Sequence, residues 1–413
     1  MVQSIAGLIG LIGVAWLFSE DRRNVSIRNM VAGIALQLVV AGLMLKIPAF
    51  SKVMLYLNHV VDALQEATTA GSSFIFGYIG GGPLPFVETS PGASWTLAFR
   101  ALPLILVVSA LSALLFHWRV IPVVVRGFSF VLQKTMGIGG ALGLGVASNI
   151  FVGMVEAPII ISPYVKGMTR SELMTLMISG MATISGTVLV LYASILNPVI
   201  PGAIGHILTA SIISAPASIL ISKLIVPEKS KISSDSIVEI GRQSESSMDA
   251  VVRGTSDGVT LLINVIALLL VLVALVSLGN QVLSFLPDVY GAPLTLQRIL
   301  GFIMWPIVWL MGIPAGEAFT ASSLMGTKTI LNEFLAYLQL AALPAGALSP
   351  RSTMIMTYAM CGFANLGSLG ILIGGLISIA PSRKAEIVEL GVKSVVGGTL
   401  ATCMTGAIVG MLY

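Results

Sequence analysis

The chain has 413 residues, of which 56% are hydrophobic and only 10% are charged. A soluble domain carries about a quarter charged residues, so this composition excludes a fully solvated surface. The net charge of +4 is small and spread over several segments, so nothing indicates a nucleic-acid partner. Runs of about 20 apolar residues can cross a bilayer and recur along the chain, which predicts an all-α polytopic membrane protein.

Eight segments have the length and apolar character of spanning helices. They are 4–18, 29–47, 96–117, 171–195, 203–225, 256–286, 352–379 and 387–412. Two further stretches, 136–165 and 314–346, are apolar but interrupted, the first by Gly153 and Pro158. We predict that both are re-entrant hairpins, because broken backbone is tolerated in a membrane only where it lines a polar site. The segment 48–95 is neither clearly spanning nor clearly soluble.

Lysine and arginine indicate the orientation, because cytoplasmic loops collect them. If both hairpins enter and leave on one side, most basic residues fall on the cytoplasmic side and few outside. The cytoplasmic groups lie at Arg22–Arg28, Arg119–Lys134, Lys166–Arg170, Lys223–Arg253 and Arg383–Lys393. This distribution predicts an N-terminus outside and a multi-pass protein of the cell inner membrane.

A long-range echo indicates an internal repeat. Gly180–Ile184 and Gly362–Leu366 share the order Gly, bulky apolar, Ala, small polar, branched apolar. Each lies in a predicted spanning helix that follows a hairpin, and an odd number of crossings separates them, which is typical of inverted-repeat transporters. The predicted units are 1–117 (N-terminal scaffold helices), 118–225 (first repeat), 226–290 (cytoplasmic linker and long scaffold helix) and 291–413 (second repeat), each repeat comprising an interfacial helix, a hairpin and two helices.

Each hairpin carries an acid, Glu156 in the first and Glu333 in the second. A carboxylate at membrane depth costs about 2.5–3.5 kcal/mol or more, so it normally faces a cavity or a partner. The polar-site interpretation competes with a structural ion pair, for which Lys328 is a candidate partner of Glu333. A carboxylate accepts hydrogen bonds from vicinal hydroxyls, so Glu333 suits a sugar, and Asn365 and Ser368 are spaced to share one helix face.

Oxygen ligands lie near the first hairpin. Asn149, Thr183 and Thr187 are placed beside predicted broken backbone, where such folds coordinate Na⁺ with unwound carbonyls and side-chain oxygens. Threonine also bonds routinely to its own helix carbonyls, so these residues alone do not identify a site. No spacing indicates a hydrolytic or transition-metal centre, and we expect no enzymatic activity.

These motifs resemble the concentrative nucleoside transporters over nearly the whole chain. The most specific are Gly153 to Pro158, Gly326 to Tyr337 with Asn332-Glu333-Phe334, and Cys361 to Asn365. The resemblance implies two re-entrant hairpins in inverted repeats, a scaffold and an elevator-type transport domain, and a homotrimer in the bilayer. It also implies nucleoside uptake driven by Na⁺ or H⁺.

The resemblance carries roles for particular residues. The implied base-binding residues are Gly153, Met154, Val155, Glu156 and Val188. The implied ribose-binding residues are Glu333, Asn365 and Ser368, with Phe363 alongside. The implied sodium site consists of Asn149, Val152, Thr183 and Ile184, with Val152 and Ile184 acting through their carbonyls. Because Asn149 and the Thr183 hydroxyl are both present, the sequence favours Na⁺ over H⁺ as the coupling ion.

One departure from the family pattern bears on specificity. The family commonly has Gly-Gln-Thr-Glu where this chain has Gly153-Met154-Val155-Glu156. Met154 and Val155 have no amide or hydroxyl to pair with a pyrimidine edge, and losing such pairs discriminates between substrates. Gly153-Met154 with Thr187-Val188 also resembles the pattern of purine-preferring mammalian members of the family. We therefore predict a preference for purine nucleosides or a relaxed specificity. The alternatives are an H⁺-coupled symporter, a passive channel for small polar solutes and a receptor or assembly protein without transport.

Overall fold

The computed structural model describes residues 2–89, 93–230, 241, 244–289, 291 and 293–413. Within these residues the secondary structure is helical, without an extended strand, so the predicted all-α class is confirmed. The α-helices are α1 (Val2–Leu17), α2 (Ile27–Lys46), α3 (Pro48–Phe76), α4 (Leu104–His117), α5 (Val120–Met136), α6 (Gly140–Asn149), α7 (Glu156–Ile160), α8 (Ser162–Val165), α9 (Arg170–Ala182), α10 (Gly186–Leu196), α11 (Ala203–Ile225), α12 (Ser247–Leu283), α13 (Leu296–Leu310), α14 (Ala315–Ile330), α15 (Glu333–Ala341), α16 (Pro350–Ala359), α17 (Leu366–Ile379) and α18 (Lys384–Leu412).

Six helical segments of the described chain are long and apolar enough to cross a membrane. They are Ile27–Lys46, Leu97–His117, Arg170–Leu196, Ala203–Ile225, Ser247–Leu283 and Pro381–Leu412. The predicted helix 256–286 begins earlier than expected, because the Ser246 hydroxyl caps α12 by accepting a 3.1 Å hydrogen bond from the Asp249 amide. Much of the predicted linker before it, 231–240, lies outside the described residues.

The segment that the sequence left undecided contains a long helix. Helix α3 begins with Pro48 in its first turn, where proline costs no hydrogen bond. It ends at Gly77, whose φ of 62° and ψ of −136° lie in a region that side-chain-bearing residues rarely adopt. Polar residues such as Asp62 and Glu66 break its apolar run, which is why a hydropathy argument did not find it.

Two predicted spanning helices are interrupted, and the prediction that each is continuous was wrong. The segment 171–195 divides into α9 and α10 around Thr183, which has extended backbone. The segment 352–379 divides into α16 and α17 because the Asn365 side chain caps α17, its Oδ1 accepting a 2.7 Å bond from the Ser368 amide. The echoed pentapeptides therefore coincide with the two breaks.

The two breaks lie against each other. The Phe363 amide donates a hydrogen bond of 3.3 Å to the Thr183 carbonyl. A Cβ on Gly362 would lie 2.8 Å from the Met181 carbonyl oxygen, so glycine permits this approach. The first hairpin, α6 to α8, reaches the first break through a 2.9 Å bond from the Gly186 amide to the Phe151 carbonyl. Broken backbone from both repeats thus converges on one region.

The remaining helices surround this region unevenly. Helices α1 and α2 pack on α18 and α11 respectively, whereas α4 packs along α12. The second hairpin, α14 to α15, packs on α13. The predicted division into scaffold and transport units stays a prediction, since these contacts describe one arrangement of the helices and no movement between them.

Candidate substrate and ion site

A cavity of about 180 Å³ opens where the hairpins meet the breaks. All nine predicted substrate-binding residues line it. They are Gly153, Met154, Val155, Glu156, Val188, Glu333, Phe363, Asn365 and Ser368. The two repeats contribute separate polar groups to the same space, and the opposite wall is apolar. Such a cavity suits a solute with both a polar and a flat apolar part.

Glu333 lies at the first position of α15 and is 3% exposed. Its Oε1 accepts a 2.6 Å hydrogen bond from the Tyr192 hydroxyl, and its Oε2 accepts a 2.9 Å bond from Asn365 Nδ2. Asn332 caps the same helix by accepting a 2.9 Å bond from the Leu335 amide. The acid is also favoured by the positive end of the helix dipole. The sequence predicted that Asn365 and Ser368 share one helix face. That prediction was wrong, because Asn365 precedes α17 as its N-cap residue and only Ser368 lies in the helix.

Glu156 occupies the corresponding place at the start of α7. It is exposed on the cavity that it lines. Gly153 has a φ of 115°, and a Cβ there would lie 2.8 Å from Glu156 Oε2 and 2.9 Å from Ser185 Cβ. Glycine is therefore required both by its backbone conformation and by the space that the carboxylate and the first break occupy.

Neither acid forms the structural ion pair that the sequence left open. Among the described residues, no lysine or arginine lies within ion-pairing distance of Glu156 or Glu333. Lys328 is fully buried and donates instead to the Ala359 carbonyl at 3.4 Å and to Thr402 Oγ1 at 3.2 Å. Its ammonium group holds the end of α16 at the second break.

The predicted sodium-site residues surround the first break. Asn149 is fully buried at the end of α6 and donates through Nδ2 to Ser179 Oγ at 3.3 Å, while its Oδ1 has no hydrogen-bond partner. The Thr183 hydroxyl donates to the Ser179 carbonyl at 2.8 Å and keeps its lone pairs. In the described chain, no backbone N–H donates to the carbonyls of Val152 or Ile184. Hard oxygen atoms that accept no hydrogen bond within the described chain fit a small cation.

The sequence missed part of the cavity wall. Tyr192 lies one helical turn beyond Val188 in α10, and a polar side chain within an apolar helix was the available signal. The apolar wall comes from α12 and lines the cavity with Leu261, Val265, Leu268, Leu269 and Leu272. Their spacing is that of one helix face, but in a membrane helix the same pattern also describes a lipid-facing surface.

Family models match most of the chain. The model described as Na⁺-dependent nucleoside transporter, N-terminus, matches residues 6–79, and its C-terminal counterpart matches residues 206–410. A model described as nucleoside recognition matches residues 98–199 between them. The first break and the first hairpin lie in that middle region, and the second hairpin lies in the C-terminal one.

Whole-chain relatives agree with these matches. The Bacillus subtilis transporter YutK is 38% identical over 415 residues, covering 100% of this chain and 99% of the relative. The Helicobacter pylori nucleoside permease NupC is 34% identical over 414 residues, covering 99% and 97%. Human solute carrier family 28 member 3 is 34% identical over 427 residues, covering 99% of this chain and 59% of that protein.

Solved structures show the same fold. The structure of CNTnw in an inward-facing substrate-bound state has a TM-score of 0.89 at 34% identity, covering 99% of this chain and 98% of the other. Variants of CNTnw in outward-facing and intermediate states match with TM-scores of 0.90. The motifs, the helical fold and these matches together show that the chain belongs to the Na⁺-dependent nucleoside transporter family.

Proposed function

We propose that the protein is a secondary active importer of nucleosides, coupled to Na⁺. The observation that carries this proposal is Glu333, a buried carboxylate whose two oxygens are held by Tyr192 and Asn365 at the edge of a cavity. Vicinal ribose hydroxyls are donors of the right number and spacing for such a carboxylate. The name of the Helicobacter pylori relative, a nucleoside permease, supports the same substrate class.

Sodium coupling is supported by the family and by the unpartnered oxygen of Asn149. An orphaned buried acceptor costs about 1–3 kcal/mol, which a bound cation would offset. One Na⁺ entering down about 100 mV gains roughly 2.3 kcal/mol. Concentrating a neutral solute tenfold costs about 1.4 kcal/mol, so a single ion suffices for that gradient.

The base would lie against the first hairpin. Met154 and Val155 line the cavity without an amide or hydroxyl side chain, and Val188 adds a further apolar surface. This lining supports a preference for purines, whose larger ring system gains more from apolar contact than from an edge pair. Uridine displacing labelled inosine or adenosine at equal or lower concentration would contradict the preference.

For the assembly and the topology, the proposal rests on the family to which the chain belongs. We propose a homotrimer in the inner membrane, with the N-terminus outside, in which a transport domain moves against a scaffold as an elevator. The two hairpins and the two breaks would travel together, since hydrogen bonds join them across the repeats. Scanning labels placed in the loop at residues 19–26 and in the segment before α12 test the topology, since both must be accessible only from the cytoplasm.

Uptake into proteoliposomes tests the function. Labelled adenosine and uridine are supplied with an inward Na⁺ gradient and, separately, with an inward proton gradient. Accumulation above the external concentration with Na⁺ alone is the expected result, and it must collapse with a sodium ionophore. Accumulation driven only by protons would replace Na⁺ by H⁺ as the coupling ion. Equilibration without accumulation would establish a passive channel, and no uptake of any nucleoside would end the proposal.

A further inference from the structure

Tyr192 links the two repeats through a hydrogen bond to Glu333, the acid of the proposed ribose site. It belongs to α10, in the first repeat, whereas Glu333 begins α15 in the second. Its side chain is 2% exposed, and its hydroxyl donates to Glu333 Oε1 at 2.6 Å. This distance lies within the range of about 2.5–2.7 Å that is typical of a hydroxyl donating to a carboxylate.

The Tyr192 ring has little freedom to move. Its centroid lies 5.2 Å from that of Tyr337 and 6.1 Å from that of Phe334, both rings of α15. Aromatic pairs at these separations attract one another beyond simple apolar burial. Packing therefore holds the hydroxyl in place. Its hydrogen bond to Glu333 costs little side-chain entropy, because the ring is already ordered.

The two donors constrain how Glu333 can meet a ligand. A carboxylate has about four lone-pair sites, two on each oxygen. Tyr192 occupies one site on Oε1 and Asn365 occupies one on Oε2, which leaves one site on each oxygen for a ligand. The carboxylate torsion is otherwise soft, so the donors fix the plane of the group. Two free sites on adjacent oxygens match two adjacent hydroxyl donors.

We propose that Tyr192 is a positioning residue that orients Glu333 to bind both hydroxyls of a vicinal diol, and thereby selects ribonucleosides over deoxynucleosides. The inference rests on the proposed nucleoside function and deepens it. Tyr192 acts through Glu333, so its loss must weaken substrates with the diol more than substrates without it.

The test compares Tyr192→Phe with wild type for two ligands in proteoliposomes. The KM for adenosine should rise about tenfold, as expected for one hydrogen bond to a charged group. The inhibition constant of 2′,3′-dideoxyadenosine against labelled adenosine should change less than twofold, because this ligand has no hydroxyl for Glu333. Equal weakening of both ligands would indicate a purely structural role and would overturn the proposal, as would an unchanged adenosine KM.

Tyr337→Phe is the matched control. Tyr337 is fully buried in the same ring cluster, but its hydroxyl donates to the Thr357 carbonyl at 2.8 Å and not to Glu333. The ratio between the two ligands should stay at its wild-type value in this variant. A ratio that shifts as in Tyr192→Phe would assign the effect to ring packing and contradict the proposal.

Wild-type protein gives a second check that needs no variant. Adenosine should compete better than 2′-deoxyadenosine and better than 3′-deoxyadenosine, since each deoxy compound leaves one Glu333 oxygen without its ligand. Equal competition by all three would overturn the role of the diol while leaving nucleoside transport intact. Failure of the proposed function itself would be distinguishable, because wild-type protein would then accumulate no nucleoside.

Discussion

The two hairpin regions have the same plan but differ in how far their polar groups are satisfied. In the second, Glu333, Asn365 and Lys328 all have hydrogen-bond partners within the protein. In the first, Asn149 Oδ1 and Ser148 Oγ are buried without a partner. The Thr327 hydroxyl is an exception in the second region, where it too lacks a partner.

This difference indicates a division of labour between the repeats. A satisfied polar network is rigid and presents a fixed surface, which suits recognition of one solute geometry. Unsatisfied acceptors cost free energy until something binds them, which suits a site that must fill and empty in every cycle. We therefore propose that the second repeat is preorganised for the sugar and that the first is left incomplete for the ion.

Glu333→Gln should have the largest effect. A glutamine has one acceptor oxygen and no charge, so it cannot accept from its protein partners and also from two ligand hydroxyls, as the carboxylate can. We expect nucleoside uptake to fall about 100-fold or more, in line with leaving buried polar partners unpaired. Initial rates of Na⁺-driven adenosine uptake measure this loss.

Glu317→Gln is the matched control for that change. Glu317 lies in the first turn of α14 in the same hairpin, but it accepts from the Ser349 amide at 3.1 Å and from the Ser349 hydroxyl at 3.0 Å, away from the cavity. Uptake should remain within a few-fold of wild type. Comparable losses in both variants would mean that the hairpin needs its acids for folding, and the preorganised sugar site would be refuted.

Asn149→Ala should come next, and its effect should fall on the ion. Removing Oδ1 takes away a ligand that has no other partner, so the Na⁺ concentration for half-maximal uptake should rise about tenfold. Adenosine affinity at saturating Na⁺ should change little. Ser148→Ala is the control, since it removes a neighbouring orphaned hydroxyl outside the proposed ligand set. An equal shift in both variants would mean that the effect is not specific to the Asn149 oxygen, and it would contradict the proposed ion ligand.

The two hairpin acids and the two echoed pentapeptides could be predicted from the sequence, but the features that depend on three-dimensional packing could not. Glu156 and Glu333 are conspicuous because charge is rare in apolar segments. The echoed pentapeptides were found, but not the breaks that they mark, because an apolar run stays apolar whether its backbone is helical or unwound. The cap that Asn365 makes to Ser368 depends on local backbone conformation, which composition does not encode.

The apolar wall of the cavity could not be predicted for a different reason. Leu269 and Leu272 of α12 line the cavity and are shielded, whereas Leu270 of the same helix is exposed and does not line it. In a membrane both surroundings are apolar, so hydropathy does not separate them. Tyr192 was missed because its partner lies 141 positions away in the chain. Contacts of this range follow from the fold, and the fold itself had first to be known.

Exchanging the base-facing residues should have a moderate effect confined to specificity. Met154→Gln with Val155→Thr introduces an amide and a hydroxyl on the cavity lining, where a pyrimidine edge can pair with them. We expect uridine to gain about three- to tenfold relative to adenosine, as one or two added hydrogen bonds allow. Competition of each nucleoside against labelled adenosine measures the ratio. A ratio that does not move would place the base elsewhere in the cavity.

The smallest expected effect lies at the start of α9, where a group of ion pairs lies outside the cavity. Arg170 begins α9 and binds Glu20 at 2.8 Å and Glu389 at 2.6 Å. Arg383 closes the end of the first hairpin by donating to the Met168 carbonyl at 2.6 Å. These contacts join the loop after α1, the first repeat and α18. They hold the end of the first hairpin, and they involve none of the proposed sodium ligands.

Arg170→Met should therefore lower thermal stability without changing Na⁺ dependence. Hydrogen bonds from Arg170, the largest cause, and from Lys393 lower the pKa of Glu20 from 4.5 to about 2. A lowered folded-state pKa stabilises the protein above the unfolded value, so this contribution is complete above pH 4.5 and disappears as the pH falls toward about 2. Because the groups are partly exposed, we expect at most about 1 kcal/mol, reduced by salt. The melting temperatures of wild type and variant should differ at pH 7, and the difference should shrink below about pH 4.5 and disappear only as the pH approaches about 2. A shift in the half-maximal Na⁺ concentration would instead couple this network to the ion site and break the separation between anchoring and binding in the first region.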